Sequence, residues 1–228
     1  MSIVSKIKQS AAGEKPENGK KQFVWNEEKV SLDENSPNGT YEFENFSGFI
    51  QFRGTDCRVE NASFTVIIRH IEYLTGEHQP VKPRDAEANQ IVWKDGTVVS
   101  GSLFPIVWEG GNFKGKLLRT GFFRGGVFSG EKLICCSFSG GTVDHGTVEC
   151  INWERGDFSG DSFTGTFHCG VFSGGVFEGT WLDGHFKGGV FKGDWKGGTW
   201  SGGSFEGSSC VGDGTFGSVR KDNEKSGQ

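Results

Sequence analysis

The chain is poor in the residues that most folds are built from. It has one methionine, two tyrosines, five prolines and only seven leucines. Leucine and methionine fill helical cores, so their scarcity argues against a helical enzyme or bundle. Charge of neither sign is in excess: 24 basic residues against 29 acidic ones give a net charge of −5, with both signs interspersed. That offers no electrostatic footprint for a phosphate backbone, and direct nucleic-acid binding is not expected. No apolar run approaches the ~20 residues that span a bilayer, so no membrane partner is expected either. Lys6 and Lys8 near the start are followed by no hydrophobic segment, which argues against a secretory leader. Six cysteines are present, at 57, 135, 136, 150, 169 and 210, but none forms a C-x-x-C pair. Reduced thiols and a cytoplasmic location are therefore expected.

What is abundant is glycine, 38 residues, and phenylalanine, 21. They are not scattered. From Trp153 to Phe205 the aromatic residues fall at Trp153, Phe158, Phe163, Phe167, Phe172, Phe177, Trp181, Phe186, Phe191, Trp195, Trp200 and Phe205. The gaps run five, five, four and repeat. Upstream the same register continues with fifteen residues per period instead of fourteen. The first column of equivalent positions is then Trp93, Trp108, Phe123, Phe138, Trp153, Phe167, Trp181 and Trp195. The second is Val98, Phe113, Phe128, Val143, Phe158, Phe172, Phe186 and Trp200, and the third Leu103, Leu118, Leu133, Val148, Phe163, Phe177, Phe191 and Phe205.

Every position in these columns is apolar. Two residues earlier stands a glycine at all eight second-column positions, five third-column positions and four first-column positions. In extended backbone, residues two apart share a side. The large side chain is expected to fill an interior while the glycine beneath it leaves room and permits a bend at each corner. A shortened gap that recurs every third unit implies three sides per coil. The fold class expected is therefore all-β, a right-handed, three-sided parallel β-solenoid of about eight coils. At ~4.8 Å per coil it would form a rod of roughly 38 Å. Lys116, Glu131 and Asp161 occupy third-column small positions, where burial of a charge would be costly, so bulges or opened corners are expected there.

Five segments follow from this reading. Residues 1–20 are a polar, flexible arm, and residues 21–74 a β-rich cap with short strand-like runs around Phe23, Val30, Tyr41, Phe49 and Phe64. Residues 75–90, with Pro80 and Pro83, are a linker loop. The solenoid occupies 91–217, with the rhythm failing at Ser208-Ser209-Cys210 and Phe216 closing the last coil, and 218–228 is a disordered charged tail. A cap is needed because the first coil of a solenoid otherwise presents an apolar end and an unpaired strand edge.

The repeats of residues 93–207 resemble those of the pentapeptide-repeat solenoids, whose five-residue units also turn a small and a large residue inward. Trp or Phe over glycine, and a three-sided period, depart from that family's usual Leu or Phe over an Ala-like position on four sides. The Gly-x-Phe/Trp-x-Gly-Gly texture is also similar to repeat tracts in proteins of large tailed phages. These resemblances imply a non-enzymatic structural or protein-interaction module, such as a virion, assembly or host-interaction protein residing in the host cytoplasm or virion. An alternative they imply is a DNA-mimicking regulator of a nucleic-acid enzyme. A third reading is a carbohydrate-acting β-helix.

Candidate chemistry is sparse. Asp144-His145 with Glu149 and Cys150, and His168-Cys169, match no metal-ligand spacing. The glycines lie in no phosphate-binding motif. Asp157 with Asp161, or Asp183 with Asp194, are carboxylate pairs without inserted loops to build a cleft. No catalytic residue, cofactor or metal is expected. Outward apolar residues carry more information: Phe104, Val107, Phe122, Val127 and Ile134 cluster in the early coils and form the candidate interaction surface. The expected partner is another protein, or a further copy of this chain.

Overall fold

A computed structural model describes residues 20–22, 29–31, 39–52, 55–68, 89–207, 209–210 and 215–216. Among them there is no helix, and the strands join one continuous sheet. From residue 89 onward each coil pairs parallel with the next, and the register shifts once, between Cys150 and Asn152. The three columns read from the sequence are three ladders. Trp93 pairs with Trp108, Val98 with Phe113 and Leu103 with Leu118, and each ladder runs on to Trp195, Trp200 and Phe205.

The columns define the core because each ring has partners in two directions. Along a column the rings stack: Phe138 on Trp153 at 3.7 Å between centroids, Phe158 on Phe172 at 4.7 Å, Phe163 on Phe177 at 5.3 Å. Across a coil they meet edge to face. Trp153, Phe158 and Phe163 contact one another pairwise at 5.6–6.1 Å with interplanar angles of 77–86°. Three rings in mutual contact leave no central channel, and they show the three-sided cross-section directly. Both geometries suit the aromatic quadrupole, adding to the ~2–3 kcal/mol from burying each side chain. Trp93, Trp108, Trp153 and Trp181 are fully buried, and their indole N–H groups meet no acceptor among the described residues.

The glycines before these residues are corner residues. Gly111 has φ +87°, and a β-carbon there would collide with the carbonyl oxygen of Gly96 in the preceding coil. Lys116, Glu131 and Asp161 depart from expectation: all three side chains are exposed. The third-column corner turns its second residue outward, so no charge is buried. The close approach to the neighbouring coil passes one residue back, to the buried Gly115, Gly130 and Gly160. Beyond Phe205 the fourteen-residue spacing is lost but the ladders continue, since Asp194-Trp195 pairs with Ser209-Cys210 and Thr199-Trp200 with Thr215-Phe216.

The N-terminal end is built differently. β1 (Lys20–Gln22) and β2 (Lys29–Ser31) run parallel to β3 (Gly39–Phe52). β3 then pairs antiparallel with β4 (Thr55–Ile68), and β4 antiparallel with β5 (Asn89–Leu103), whose fifteen residues form the first regular coil. β4 is thus a coil traversed in reverse, and it covers the edge of β5 that the first coil would otherwise expose. The ring column continues through the reversal: Phe43 stacks on Phe64 at 4.5 Å and Phe64 on Trp93 at 5.7 Å. Asn45 and Asn61 take the positive φ angles, 55° and 48°, that glycine takes at the other corners. Of the expected arm at 1–20 only Lys20 is described, in β1, and the rest of it, the tail at 218–228 and most of the expected linker at 75–90 lie outside the described residues.

Candidate interaction surface

The side of the rod between the third column and the next first column is where the coils differ. In coils one to four, five residues separate these columns, and in coils five to seven, four do. In the longer version the second residue past the third column points inward: Pro105, Thr120, Cys135 and Cys150 are all buried. The residue after it turns out. Ile151 is 71% exposed and Cys136 is exposed, although both occupy the small-residue position that the spacing marks as inward. The cause is a bulge. Across the step from coil four to coil five, Cys150 pairs with Gly165 and Asn152 with Thr166, leaving Ile151 without a counterpart.

The shorter version turns the same corner on one residue. Gly165 has φ +142°, and a β-carbon there would lie inside the carbonyl oxygen of Cys150. Only glycine fits. The deleted residue of the fourteen-residue period is therefore the outward one at the bulge.

This side carries most of the predicted apolar residues. Val107 and Phe122 are directly paired, and Phe104 and Ile134 lie on the outward row beside them, either side of Arg119. Their exposure is unequal. Phe122 is 47% exposed, Val107 and Ile134 are half-buried, and Phe104 packs partly against the core. Val127 does not join them. It precedes a second-column residue and pairs with Asn112 and Thr142 on another side of the rod. The residues missed by counting alternate positions are Ile151, the most exposed large apolar side chain of the group, and Ile106, half-buried at the equivalent position of coil one. The signal for both was the extra residue of the early coils.

Beyond coil four the same side is polar, with Thr164, Thr166, Glu178 and Thr180 outward. Charges around it alternate along the rod axis. Arg124 lies 3.6 Å from Glu109, and Lys132 2.6 Å from Glu149, each pair spanning neighbouring coils. Such exposed pairs contribute ~0–1 kcal/mol each and mainly support register.

The remaining candidates for chemistry do not converge. His145 approaches Asp161 at 3.8 Å with both exposed, and His185 meets Ser201 at 2.8 Å. Among the described residues no group of three or more His, Cys, Asp and Glu side chains is arranged to hold a metal ion. No helix among them is long and apolar enough to cross a membrane. Buried thiols are the titratable groups most altered by their surroundings. Burial pushes Cys57 up to about 12. Cys135 is also raised, first by donating its S–H to the Cys150 sulfur and then by burial, while that same bond lowers Cys150.

Comparison with protein-family models, with curated proteins and with solved structures gives no match to this chain.

Proposed function

We propose that this protein is a non-enzymatic scaffold. Its rigid rod presents the side between the third and first columns, over coils one to four, to a protein partner. One observation carries the reading: Phe122 and Ile151 stand 47% and 71% exposed on the side that becomes threonine-rich in the later coils. A large apolar residue in solvent is unremarkable alone, but several confined to one part of one side mark a contact surface. Rigidity suits the role, since a preorganised surface loses little conformational freedom on binding.

The DNA-mimicking alternative needs an acidic stripe along one side. The Lys94, Glu109 and Arg124 ladder alternates in sign instead, and so favours the protein-docking reading. Immobilised wild-type protein and a Phe122→Glu/Ile151→Glu variant, presented to lysate of the native source, test the proposal. Leu182→Glu, exposed on a different side, is the control. The expected result is a stoichiometric partner held by wild type and Leu182→Glu and lost from the double variant. A partner held equally by all three would overturn the assignment of the surface, and one displaced by competing duplex DNA would favour the mimic.

A further inference from the structure

Cys135 and Cys150 are direct partners across neighbouring coils, in register in a parallel pair. Both point inward, at 3% and 2% exposure, and each thiol is the largest influence on the other's acidity. In-register neighbours stand one strand spacing apart, about 4.8 Å. That falls within the Cα window of disulfides, roughly 4.4–6.8 Å. Bridging the two therefore asks for side-chain rotation, not for movement of the coils. At the equivalent inward position the adjacent coils carry Thr120 and Gly165, so no other thiol competes in this row. Cys136 adjoins Cys135 but is exposed, on the opposite side of the strand, and Cys169 is exposed in a later coil. Cys57 is buried in the reversed coil.

We infer that Cys135 and Cys150 form an oxidation site, converted by hydrogen peroxide into a disulfide that staples coil three to coil four. The chemistry balances with that one oxidant. The Cys150 thiol loses its proton and its sulfur attacks the peroxide, breaking the O–O bond and leaving a sulfenic acid and one water. The Cys135 sulfur then attacks the sulfenic sulfur. The S–S bond forms, the S–O bond breaks, and hydroxide leaves with the Cys135 proton as a second water. The Cys135 S–H donated to the Cys150 sulfur favours this order, because it stabilises the Cys150 thiolate. Both thiols are at most 3% exposed, so peroxide reaches them when the corner at the exposed Ile151, next to Cys150, opens locally. The bridge closes a fifteen-residue loop, one whole coil, at the seam between the two coil types.

The test uses the full-length folded protein. It is treated with hydrogen peroxide, quenched, denatured, alkylated and mapped without reduction. The expected product is 2 Da lighter, has one peptide joining Cys135 to Cys150, and is formed equally by Cys136→Ser. Cys135→Ser should instead leave a sulfenic acid on Cys150 that dimedone captures. Oxidation should raise the thermal midpoint of wild type and of Cys136→Ser but not of Cys135→Ser. Recovery of both thiols in alkylated form after oxidation of Cys136 and Cys169 would overturn the proposal. So would a cross-link from Cys135 to Cys136. Near-ultraviolet circular dichroism before treatment establishes that each variant holds the native core.

Discussion

Coils one to four and coils five to eight fill the same cross-section in different ways. The early third column is aliphatic, Leu103, Leu118, Leu133 and Val148, and it is accompanied by a second inward residue, Pro105, Thr120, Cys135 or Cys150. The late third column is Phe163, Phe177, Phe191 and Phe205, and the inward residue that follows the first three is Gly165, Gly179 or Gly193. A larger ring is matched by the loss of a neighbouring side chain, as expected where interiors are packed at constant density. The loss of that side chain coincides with the loss of the bulge residue, because the tighter corner requires glycine. One local choice thus sets three things together: the coil length, the identity of a core column and the character of the outer surface. The early coils gain an apolar exterior with Ile151 and Phe122, and the late coils lose it.

The comparison breaks most severely at the tight corner. Gly165→Ala places a side chain in a glycine-only backbone region and against the carbonyl of Cys150. Strain and overpacking together should destabilise by about 4 kcal/mol. Cys150→Ala, at the equivalent position of coil four, should be far milder, and chemical denaturation of the two variants side by side checks the contrast.

Alkali should act on the early part alone. Cys57, raised by burial, and Cys135, raised first by its interaction with Cys150 and then by burial, lie in the reversed coil and coil three, whereas Cys169 in the later coils is exposed. Cys57 rises from 9.0 to about 12, so above pH 9 the unfolded chain releases a proton that the folded chain keeps. Stability present below pH 9 is then lost as pH climbs towards 12, by about 1.4 kcal/mol per unit for one such thiol. Denaturant midpoints from pH 8 to pH 11 should fall, and Cys57→Ala should flatten the fall in part.

The exchange of volume can be tested inside one early coil. Leu133→Phe alone should overpack by about 1–3 kcal/mol, and Cys135→Gly alone should leave a cavity of similar cost. Combined, they reproduce the late-coil pairing, and the double variant should be more stable than the sum of the two losses by about 1 kcal/mol or more. Strict additivity in the cycle would show that the correlation has no packing origin.

The smallest effect is expected at the seam. Trp153 sits between Phe138 and Phe167 in a column that accepts either ring, and its indole N–H has no acceptor among the described residues. Trp153→Phe should therefore change the thermal midpoint by the equivalent of about 1 kcal/mol or less, against the ~3–5 kcal/mol of a Trp→Ala truncation.

Much of this was legible in the chain itself because a solenoid repeats its constraints. Trp93, Val98 and Leu103 each recur one coil later at the spacing that the ladders use, so apolar period alone gave the columns. The direction in which corner residues point was not legible. Lys116 and Ile151 occupy small-residue positions by count, yet both face solvent, because a corner or bulge breaks the alternation on which the count rests. The interaction surface was legible in part for the same reason. Val107, Phe122 and Ile134 sit on regular strand and Phe104 directly follows one, and the four share a side, whereas Val127 was grouped with them by closeness in sequence although it faces elsewhere.

The sequence by itself determined the coil, its three columns and its two lengths, since each rests on a backbone period that glycine and aromatic residues mark at every turn. Tertiary structure alone decided that β4 runs in reverse. Strand periodicity is the same read in either direction, so only pairing with β3 and β5 distinguishes a reversed coil from a forward one. It also decided that Cys135 and Cys150, fifteen residues apart, are neighbours in the core. Their contact depends on a corner of the early coils that turns Cys136 and Ile151 out and leaves the two thiols facing in.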